Sequence, residues 1–157
     1  MAGCRFARYA VDHPLFNPAL APNAGAGQVR RPFHVFRTFL KSKIHRATIT
    51  AAAPDYEGSI TIDRAVCRAA GLLAFEQVDV YDITNGARFT TYVIYGAAGE
   101  IQVNGAAARL VAPNDLIIVA AYCRLAENEI PAHRARVVLM GPDNTLLGTQ
   151  DHSVTPP

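Results

Sequence analysis

The sequence has few cysteines, little net charge and no long apolar run, and each shortage narrows the class of protein. Its three cysteines, Cys4, Cys67 and Cys123, are odd in number, widely spaced and without a metal or redox pattern, which favours a reducing cytoplasm. We interpret Cys67 as a small packed hydrophobe. A net charge of +2, with no basic run longer than Arg30-Arg31, gives no sign of a nucleic-acid or membrane partner. No apolar stretch of about 18 residues occurs, so no membrane-spanning helix is expected.

The first 34 residues differ in composition from the rest of this 157-residue chain, whose length suits one domain. They contain four prolines and a Gly/Ala-rich piece at residues 23–27, without sustained periodicity. This composition predicts a disordered N-terminal arm over residues 1–34. A targeting peptide is the competing interpretation, since these residues include four arginines and a single acidic residue, Asp12. The scattered prolines and the lack of serine disfavour the amphipathic helix that such a peptide needs.

Short strands joined by tight turns are predicted for the remainder of the chain. Strand-like patterns run over residues 36–44, 47–51, 60–62, 77–84, 88–95, 101–103, 115–122 and 136–140, the last being the final strand expected. Asp63 is a good N-cap for a short helix over residues 64–70, which Gly71 would end. The pair Asn85-Gly86 between two strand patterns predicts a β-hairpin. Together these signals predict a mainly-β, closed or nearly closed barrel with short helices.

The peptide bond between Gly58 and Ser59 is the candidate centre of chemistry. The Ser59 hydroxyl can attack the carbonyl carbon of Gly58 and carry the acyl group from nitrogen to oxygen, a reaction driven by proximity. Gly58 has no Cβ and can adopt the strained backbone conformations at which such an attack would be aimed. Elimination and hydrolysis would then leave a pyruvoyl group at the start of a new chain. A Gly-Ser pair alone most often marks a turn, so the dipeptide by itself is a weak signal.

Four motifs surround this bond, and their order and spacing are specific. They are residues 37–48 (RTFLKSKIHRAT), 56–59 (YEGS), 84–92 (TNGARFTTY) and 104–108 (NGAAA). Together they closely resemble the pyruvoyl-dependent aspartate 1-decarboxylases, which make β-alanine for pantothenate synthesis. The resemblance covers about residues 36–140.

The resemblance carries expectations about fold and assembly. It implies a double-psi β-barrel, which we expect over residues 35–141, cleaved between Gly58 and Ser59. Residues 142–157 are expected to form a C-terminal tail, and the sequence itself predicts a frayed end from Asp151. It also implies a homotetramer with sites near subunit boundaries. In some relatives an accessory protein promotes cleavage, and whether this chain needs one is left open. Family members usually begin just before the Arg-Thr pair, so initiation at a valine codon for Val35 is a third interpretation of the arm. An N-terminal sequence of the native protein that begins earlier would rule it out.

The resemblance further assigns roles to individual residues. Ser59 becomes the pyruvoyl group that forms a Schiff base with the substrate, so neither pyridoxal phosphate nor a metal is expected. Gly58 lies on the other side of the cut. Tyr92 matches the proton donor after decarboxylation, and Thr91 matches the threonine that polarises the Gly58 carbonyl during self-cleavage. The implied substrate-binding residues are Lys43, His45, Arg88, Tyr56, Asn104, Gly105, Ala106 and Ala107.

Strand alternation makes its own predictions about the charged residues. Lys41, Lys43 and His45 share one face of a strand, which by itself is most simply a solvated polar face. Arg88 offers the planar fork suited to bidentate pairing with a carboxylate.

A conflict arises along the strand that contains Arg88. Arg88 and Tyr92 share a face, whereas Thr91 points the other way. For all three to serve one site, the strand must bulge or the site must lie between subunits. Tyr122, together with Asn128 and His133, is interpreted as a barrel-wall or loop residue.

Two alternative functions stay open at this stage. The first is a pyruvoyl decarboxylase of another acidic amino acid, with glutamate the nearest competitor to aspartate. The second is a non-enzymatic double-psi barrel that acts as a binding module, which would need no cleavage and would be expected to carry a concentrated basic face.

Overall fold

The computed structural model describes residues 35–154 of the chain. The prediction of a disordered arm over residues 1–34, and its two alternatives, therefore lie outside the described residues, as do residues 155–157.

Within residues 35–154 the chain forms nine strands and four short helices. The strands are β1 (Phe36–Thr48), β2 (Ala51–Ala53), β3 (Ser59–Asp63), β4 (Gln77–Asp82), β5 (Arg88–Gly96), β6 (Ile101–Asn104), β7 (Leu116–Ala126), β8 (Arg134–Met140) and β9 (Leu146–Ser153). The α-helix α1 covers Arg64–Ala70, and 3₁₀ helices cover Gly105–Leu110, Ile130–Ala132 and Pro142–Asn144. No helix among these residues is long and apolar enough to cross a membrane.

The strands form one mixed sheet in the order β2-β6-β3-β5-β4-β7-β1-β8-β9. Three neighbouring pairs are parallel, namely β1 with β8, β2 with β6 and β3 with β5. The sheet surrounds a single apolar core that includes Ile44, Ile60, Val80 and Ile117, none of which is accessible to solvent. The buried Asn144 amide donates to the carbonyls of Thr48 (2.8 Å) and Gly99 (3.0 Å), which ties distant parts of the sheet together. The predicted mainly-β barrel with short helices is confirmed.

Local signals located α1 and the hairpin correctly. The Asp63 carboxylate accepts a hydrogen bond from the amide of Ala65 (2.6 Å), and Gly71 ends the helix in the left-handed conformation with φ 65°. Burial raises the pKa of the Cys67 thiol in this helix to about 12, in agreement with its interpretation as a packed residue. The strands β4 and β5 pair without a register shift around the turn that contains Gly86, as predicted.

Two strand predictions were wrong. The segments 36–44 and 47–51 were expected to be separate strands, but β1 runs unbroken through a bulge at Arg46, whose φ is 65°, and β2 then begins at Ala51. The segment 136–140 was expected to be the last strand, but β9 follows it and pairs with β8 along Leu146–Ser153. Asp151 is therefore part of a strand and not a frayed end, and it pairs with Arg136 at 2.9 Å.

Candidate active site

The chain passes from solvent into the sheet at the bond between Gly58 and Ser59. Residues 55–58 are exposed, whereas Ser59 is the first residue of β3 and only 1% accessible. The sequence-predicted reactive bond thus joins an exposed loop to a buried strand residue.

The Ser59 hydroxyl lies in a buried network of neutral polar side chains. Ser59 is paired with Asn104 on β6, and the Asn104 amide donates to the hydroxyl oxygens of Ser59 (2.8 Å) and Thr61 (3.0 Å). The amide of Gln102 donates to the Asn104 oxygen at 2.7 Å, which fixes the orientation of the Asn104 side chain. We call Ser59, Thr61, Gln102 and Asn104 the processing cluster. The Ser59 oxygen thus accepts a hydrogen bond, and a donor in this position would stabilise negative charge that develops on the oxygen.

Gly105 brings a second stretch of backbone against the same bond. A Cβ at this position would lie 2.7 Å from the Gly58 Cα, 3.0 Å from the Gly58 nitrogen and 3.1 Å from the Tyr56 carbonyl oxygen. Gly105 also has φ +67°, a conformation that favours glycine. The loop that begins at Asn104 therefore packs on the candidate cleavage site in a way that no side chain would allow.

The remaining loop residues surround this contact to different degrees. Tyr56 is exposed and approaches Gly105 through its backbone. Ala106 is exposed, whereas Ala107 packs against the core. The side chain of Asn104 does not cap the 3₁₀ helix that follows, and its oxygen instead accepts the hydrogen bond from Gln102.

Strand β5 lies beside the strand that begins at Ser59, and it has no bulge over its first residues. The parallel register that sets Ile60 beside Val93 places Ser59 next to Tyr92 when it is extended by one residue, whereas Gly58 lies outside β3. The register of β5 with β4 is regular from Arg88 to Tyr92, so a bulge does not bring Arg88, Thr91 and Tyr92 to one side. Thr91 faces the opposite side of the strand from Tyr92.

Three basic residues lie on the outward face of the barrel. Arg88 is exposed at the start of β5, and Lys43 and His45 alternate with the buried residues Ser42 and Ile44 on β1. We call Lys43, His45 and Arg88 the basic face. Ion pairs within residues 35–154 involve Arg37, Lys41 and Arg136, so no described carboxylate pairs with Lys43 or Arg88.

The neighbouring Lys41 differs from Lys43, although alternation predicts that both share a face. A register shift occurs between Leu40 and Ser42, and the Lys41 ammonium pairs with the Glu76 carboxylate at 2.6 Å. Lys41 is therefore neutralised, and Lys43 keeps its charge available for a ligand.

His45 is kept in its neutral form. Burial, and then the positive charges of Lys43 and Arg46, lower its pKa below the ordinary value. Its Nδ1 atom is buried and has no hydrogen-bond partner among the described residues. A neutral imidazole next to an unpaired ammonium fits a site that accepts and orients an anion.

A row of paired residues connects His45 to Arg88 across the sheet. His45 pairs with Ile118, Ile118 with Tyr81, and Tyr81 with Arg88. The row spans three strand spacings, or about 14 Å. The structure thus places Lys43, His45 and Arg88 on one face, but β1 lies four positions from β3 in the sheet, about 19 Å along its surface. Along the sheet, three strands therefore separate Lys43 and His45 from Ser59.

Two tyrosines on the outward face, Tyr81 and Tyr122, were not predicted to be site residues. The Tyr81 ring lies 5.2 Å from the guanidinium carbon of Arg88, and its hydroxyl is 2.9 Å from the hydroxyl of Tyr122. The pKa of Tyr81 is raised to about 12, mainly by this hydrogen bond and secondly by burial. The phenol therefore stays protonated. The hairpin register around Asn85-Gly86 would have placed Tyr81 opposite Arg88. No local signal pointed to Tyr122, which was interpreted as a wall residue.

Comparison with known proteins identifies relatives over most of the residues that the structure describes. The sequence model of the aspartate decarboxylase family matches residues 35–147. The aspartate 1-decarboxylase of Caulobacter vibrioides is 55% identical over 69% of this chain and 94% of its own length. The enzyme of the same name from Hydrogenobaculum is 49% identical over 71% of this chain and 89% of its own. The aspartate 1-decarboxylase of Syntrophobacter fumaroxidans is 53% identical over 71% of this chain and 91% of its own length.

Proposed function

Because the chain belongs to the aspartate decarboxylase family, we propose that it decarboxylates L-aspartate by means of a pyruvoyl group made from its own Ser59. The reaction removes the α-carboxylate as carbon dioxide and gives β-alanine, which is used for pantothenate and hence coenzyme A synthesis. The observation that supports the pyruvoyl group best is the position of Ser59. The Ser59 hydroxyl is buried and accepts a hydrogen bond from Asn104 at 2.8 Å. The residue before Ser59 is Gly58, against which Gly105 packs.

Self-cleavage begins with the processing cluster. The Ser59 oxygen loses its proton and attacks the carbonyl carbon of Gly58, and an ester forms as the carbon–nitrogen bond breaks and the nitrogen takes up a proton. Loss of the Ser59 α-proton and departure of the Gly58 carboxylate leave dehydroalanine, and water then replaces the nitrogen, which leaves as ammonia. Asn104 stabilises charge on the attacking oxygen. Thr91 on β5 is proposed to polarise the carbonyl that is attacked.

The residues present fit a pyruvoyl group at this position. Ser59 is the first residue of β3, so the new chain would start inside the site with its strand already paired to β6. When present, the pyruvoyl group would bind the amine of aspartate covalently and accept the electron pair released on loss of carbon dioxide. No pyridoxal phosphate is required.

The substrate is oriented by the basic face and protonated by Tyr92. Arg88 is proposed to pair with the carboxylate that is retained, because its planar guanidinium is exposed and no described carboxylate neutralises it. Tyr92 neighbours Ser59 on the same side of the sheet and is proposed to return a proton to the substrate carbon. Tyr56 and the backbone of Gly105 to Ala107 are proposed to line the site.

We propose that a second subunit completes the site and that Lys43 and His45 lie at this subunit boundary. Three strands separate these two residues from Ser59 within one chain, about 19 Å along the surface of the sheet. We place them at the boundary with a neighbouring copy in a homotetramer, where they hold substrate carboxylate.

A cytoplasmic location agrees with the unpaired cysteines Cys67 and Cys123. An accessory protein that speeds maturation is compatible with the exposed loop at residues 55–58.

Reductive trapping tests the pyruvoyl mechanism directly. Purified protein is incubated with L-aspartate and cyanoborohydride, and the fragments are weighed under denaturing conditions. The fragment 59–157 should gain the mass of a covalently bound substrate-derived group, and Ser59→Ala should give neither fragment, adduct nor carbon dioxide. Release of carbon dioxide from aspartate by Ser59→Ala would refute the mechanism. Equal turnover of L-glutamate would favour the other acidic substrate, and an intact, inactive wild type would favour a binding module.

A further inference from the structure

The hydrogen-bonded tyrosines on the outward face lie where they can act on Arg88. Tyr81 is directly opposite Arg88 in the β4–β5 pair, and its ring lies 5.2 Å from the guanidinium carbon. An arginine over an aromatic face is held by the charge distribution of the ring, and the contact restricts the plane of the guanidinium. The orientation of Tyr81 therefore affects that of Arg88.

The Tyr122 hydroxyl fixes the orientation of Tyr81. The two oxygens are 2.9 Å apart, although the residues belong to different strands and are 41 positions apart in sequence. Ala120 lies between Ile118 and Tyr122 on the same side of β7 and pairs with both Lys43 and Asp79. Its small side chain leaves room for the two rings to meet, and Ala120 is itself buried to 2% accessibility on this outward face.

Tyr81 and Tyr122 lie between Lys43 and Arg88, the two cations of the basic face that form no ion pair with a described carboxylate. Lys43 is paired with Ala120 on one side, and Arg88 is paired with Tyr81 on the other. Asp79 is the nearest acidic residue in the pairing scheme, but its carboxylate accepts a hydrogen bond from Thr90 at 2.6 Å and forms no ion pair with Arg88. The phenol ring, and not a carboxylate, thus holds the guanidinium, whose hydrogen-bond donors stay available.

We propose that Tyr81 and Tyr122 are positioning residues that hold the Arg88 guanidinium in the plane needed to bind the retained carboxylate of aspartate. The inference rests on the proposed function and adds the groups that fix its carboxylate-binding arginine. A guanidinium held in one place also discriminates between substrates of different length, since glutamate carries its second carboxylate one methylene further out than aspartate does. Loosening Arg88 should therefore weaken the binding of aspartate and reduce the preference for aspartate over glutamate.

Removing single hydroxyl groups tests the pair without removing either ring. Tyr122→Phe and Tyr81→Phe each break the same hydrogen bond, so each should raise KM for aspartate about three- to tenfold, the range expected for one hydrogen bond. kcat should change little, since neither residue contacts the reacting atoms. The double variant Tyr81→Phe/Tyr122→Phe should be no worse than either single variant, because the bond is lost only once.

A matched control comes from the same strand. Tyr95 also lies under an arginine, with the Arg64 guanidinium carbon 5.0 Å from its ring centroid, and its hydroxyl donates to the Leu72 carbonyl at 3.3 Å. Tyr95→Phe removes one exposed tyrosine hydroxyl beside an arginine but not from the basic face. It should leave KM and the aspartate-to-glutamate preference unchanged.

Chain cleavage separates the failure of this inference from that of the proposed function. Every variant should be cut between Gly58 and Ser59 as completely as the wild type, as measured by intact mass. If the wild type is cut and active but KM is unchanged in both Phe variants, or their effects multiply in the double variant, the positioning role is refuted and the mechanism stands. If the wild type is neither cut nor active, the proposed function itself has failed.

Discussion

The processing cluster and the basic face are both polar, but they are built in opposite ways. In the processing cluster the side chains of Ser59 and Asn104 are buried, uncharged and bonded to one another. On the basic face Arg88 is exposed, and neither Arg88 nor Lys43 is paired with a described carboxylate. Cleavage of a fixed bond requires atoms held in one position before the reaction starts. Binding of a charged substrate requires charge that the protein has not already neutralised.

This contrast predicts that substitutions divide into two groups. Changes around Ser59 should slow chain cleavage, and changes on the basic face should weaken substrate binding in chains that are already cut.

The largest effect is expected for Gly105→Ala. A Cβ here would lie 2.7 Å from the Gly58 Cα, and because the clash is with backbone the loop must move. Displacing the reacting groups by a fraction of an ångström or more should slow cleavage by at least about 10²-fold. The time course of fragment appearance, followed by gel or mass, gives the rate. Gly71→Ala is the control, since Gly71 has nearly the same φ, +65°, but no atom within 4 Å of the added carbon. Cleavage of Gly105→Ala at the wild-type rate would contradict the role of this contact.

Arg88→Gln should separate binding from cleavage. The variant loses the charge proposed to pair with substrate carboxylate, and kcat/KM for aspartate should fall about 10²-fold, as expected for a charge-assisted pair. Cleavage should be unaffected. The control is Arg64→Gln, which removes an arginine in a similar contact with Tyr95 away from the basic face. If Arg88→Gln left an uncut chain, the division between the two regions would be wrong.

Asn104→Ala should slow cleavage about tenfold, since one neutral hydrogen bond to the nucleophile is lost. It should also destabilise the fold by about 1–3 kcal/mol, because the partners of Asn104 are left buried and unpaired. Asn144→Ala is the matched control. Asn144 is equally buried and bonds to Thr48 and Gly99, so its loss should cost similar stability without slowing cleavage. Equal cleavage rates in the two variants would assign Asn104 a structural role only.

The smallest effect is expected for the pH dependence that His45 contributes to stability. Folding lowers the pKa of His45 below the value of 6.5 that applies in the unfolded chain, so the folded state binds this proton less tightly. The free energy of unfolding should therefore fall as pH drops from about 6.5 towards the folded pKa, and His45 should have no effect at higher pH. His45→Gln should lose fewer degrees of melting temperature than the wild type between about pH 7.5 and pH 5. Parallel losses in the two proteins would contradict the burial of a neutral His45.

The sequence predicted those parts of the fold whose signals are local. Asp63 and Gly71 mark the ends of α1, and Asn85-Gly86 marks the hairpin, because capping and turn residues act within a few positions. Strand β9 was missed because its residues are mostly exposed and lack alternation, so the strand depends on pairing with β8. Pairing of that kind is not encoded in any short window.

The candidate site shows the same limit. Ser59 and Asn104 are 45 residues apart and meet through the β3–β6 ladder, so only the family resemblance brought them together in advance. The strand alternation of Arg88, Thr91 and Tyr92 was predicted correctly. Of the two ways offered to bring all three residues into one site, the bulge is absent from the regular β4–β5 register, and a site between subunits stays a prediction.

The most direct test of the account is the intact mass of the purified protein under denaturing conditions. We predict two pieces, residues 1–58 and 59–157, with the second lighter than its serine-initiated form by one ammonia. The Ser59→Ala protein should give one uncut chain. A wild-type protein that remains a single chain of full mass after prolonged warming would contradict the claim that this chain makes its own pyruvoyl group.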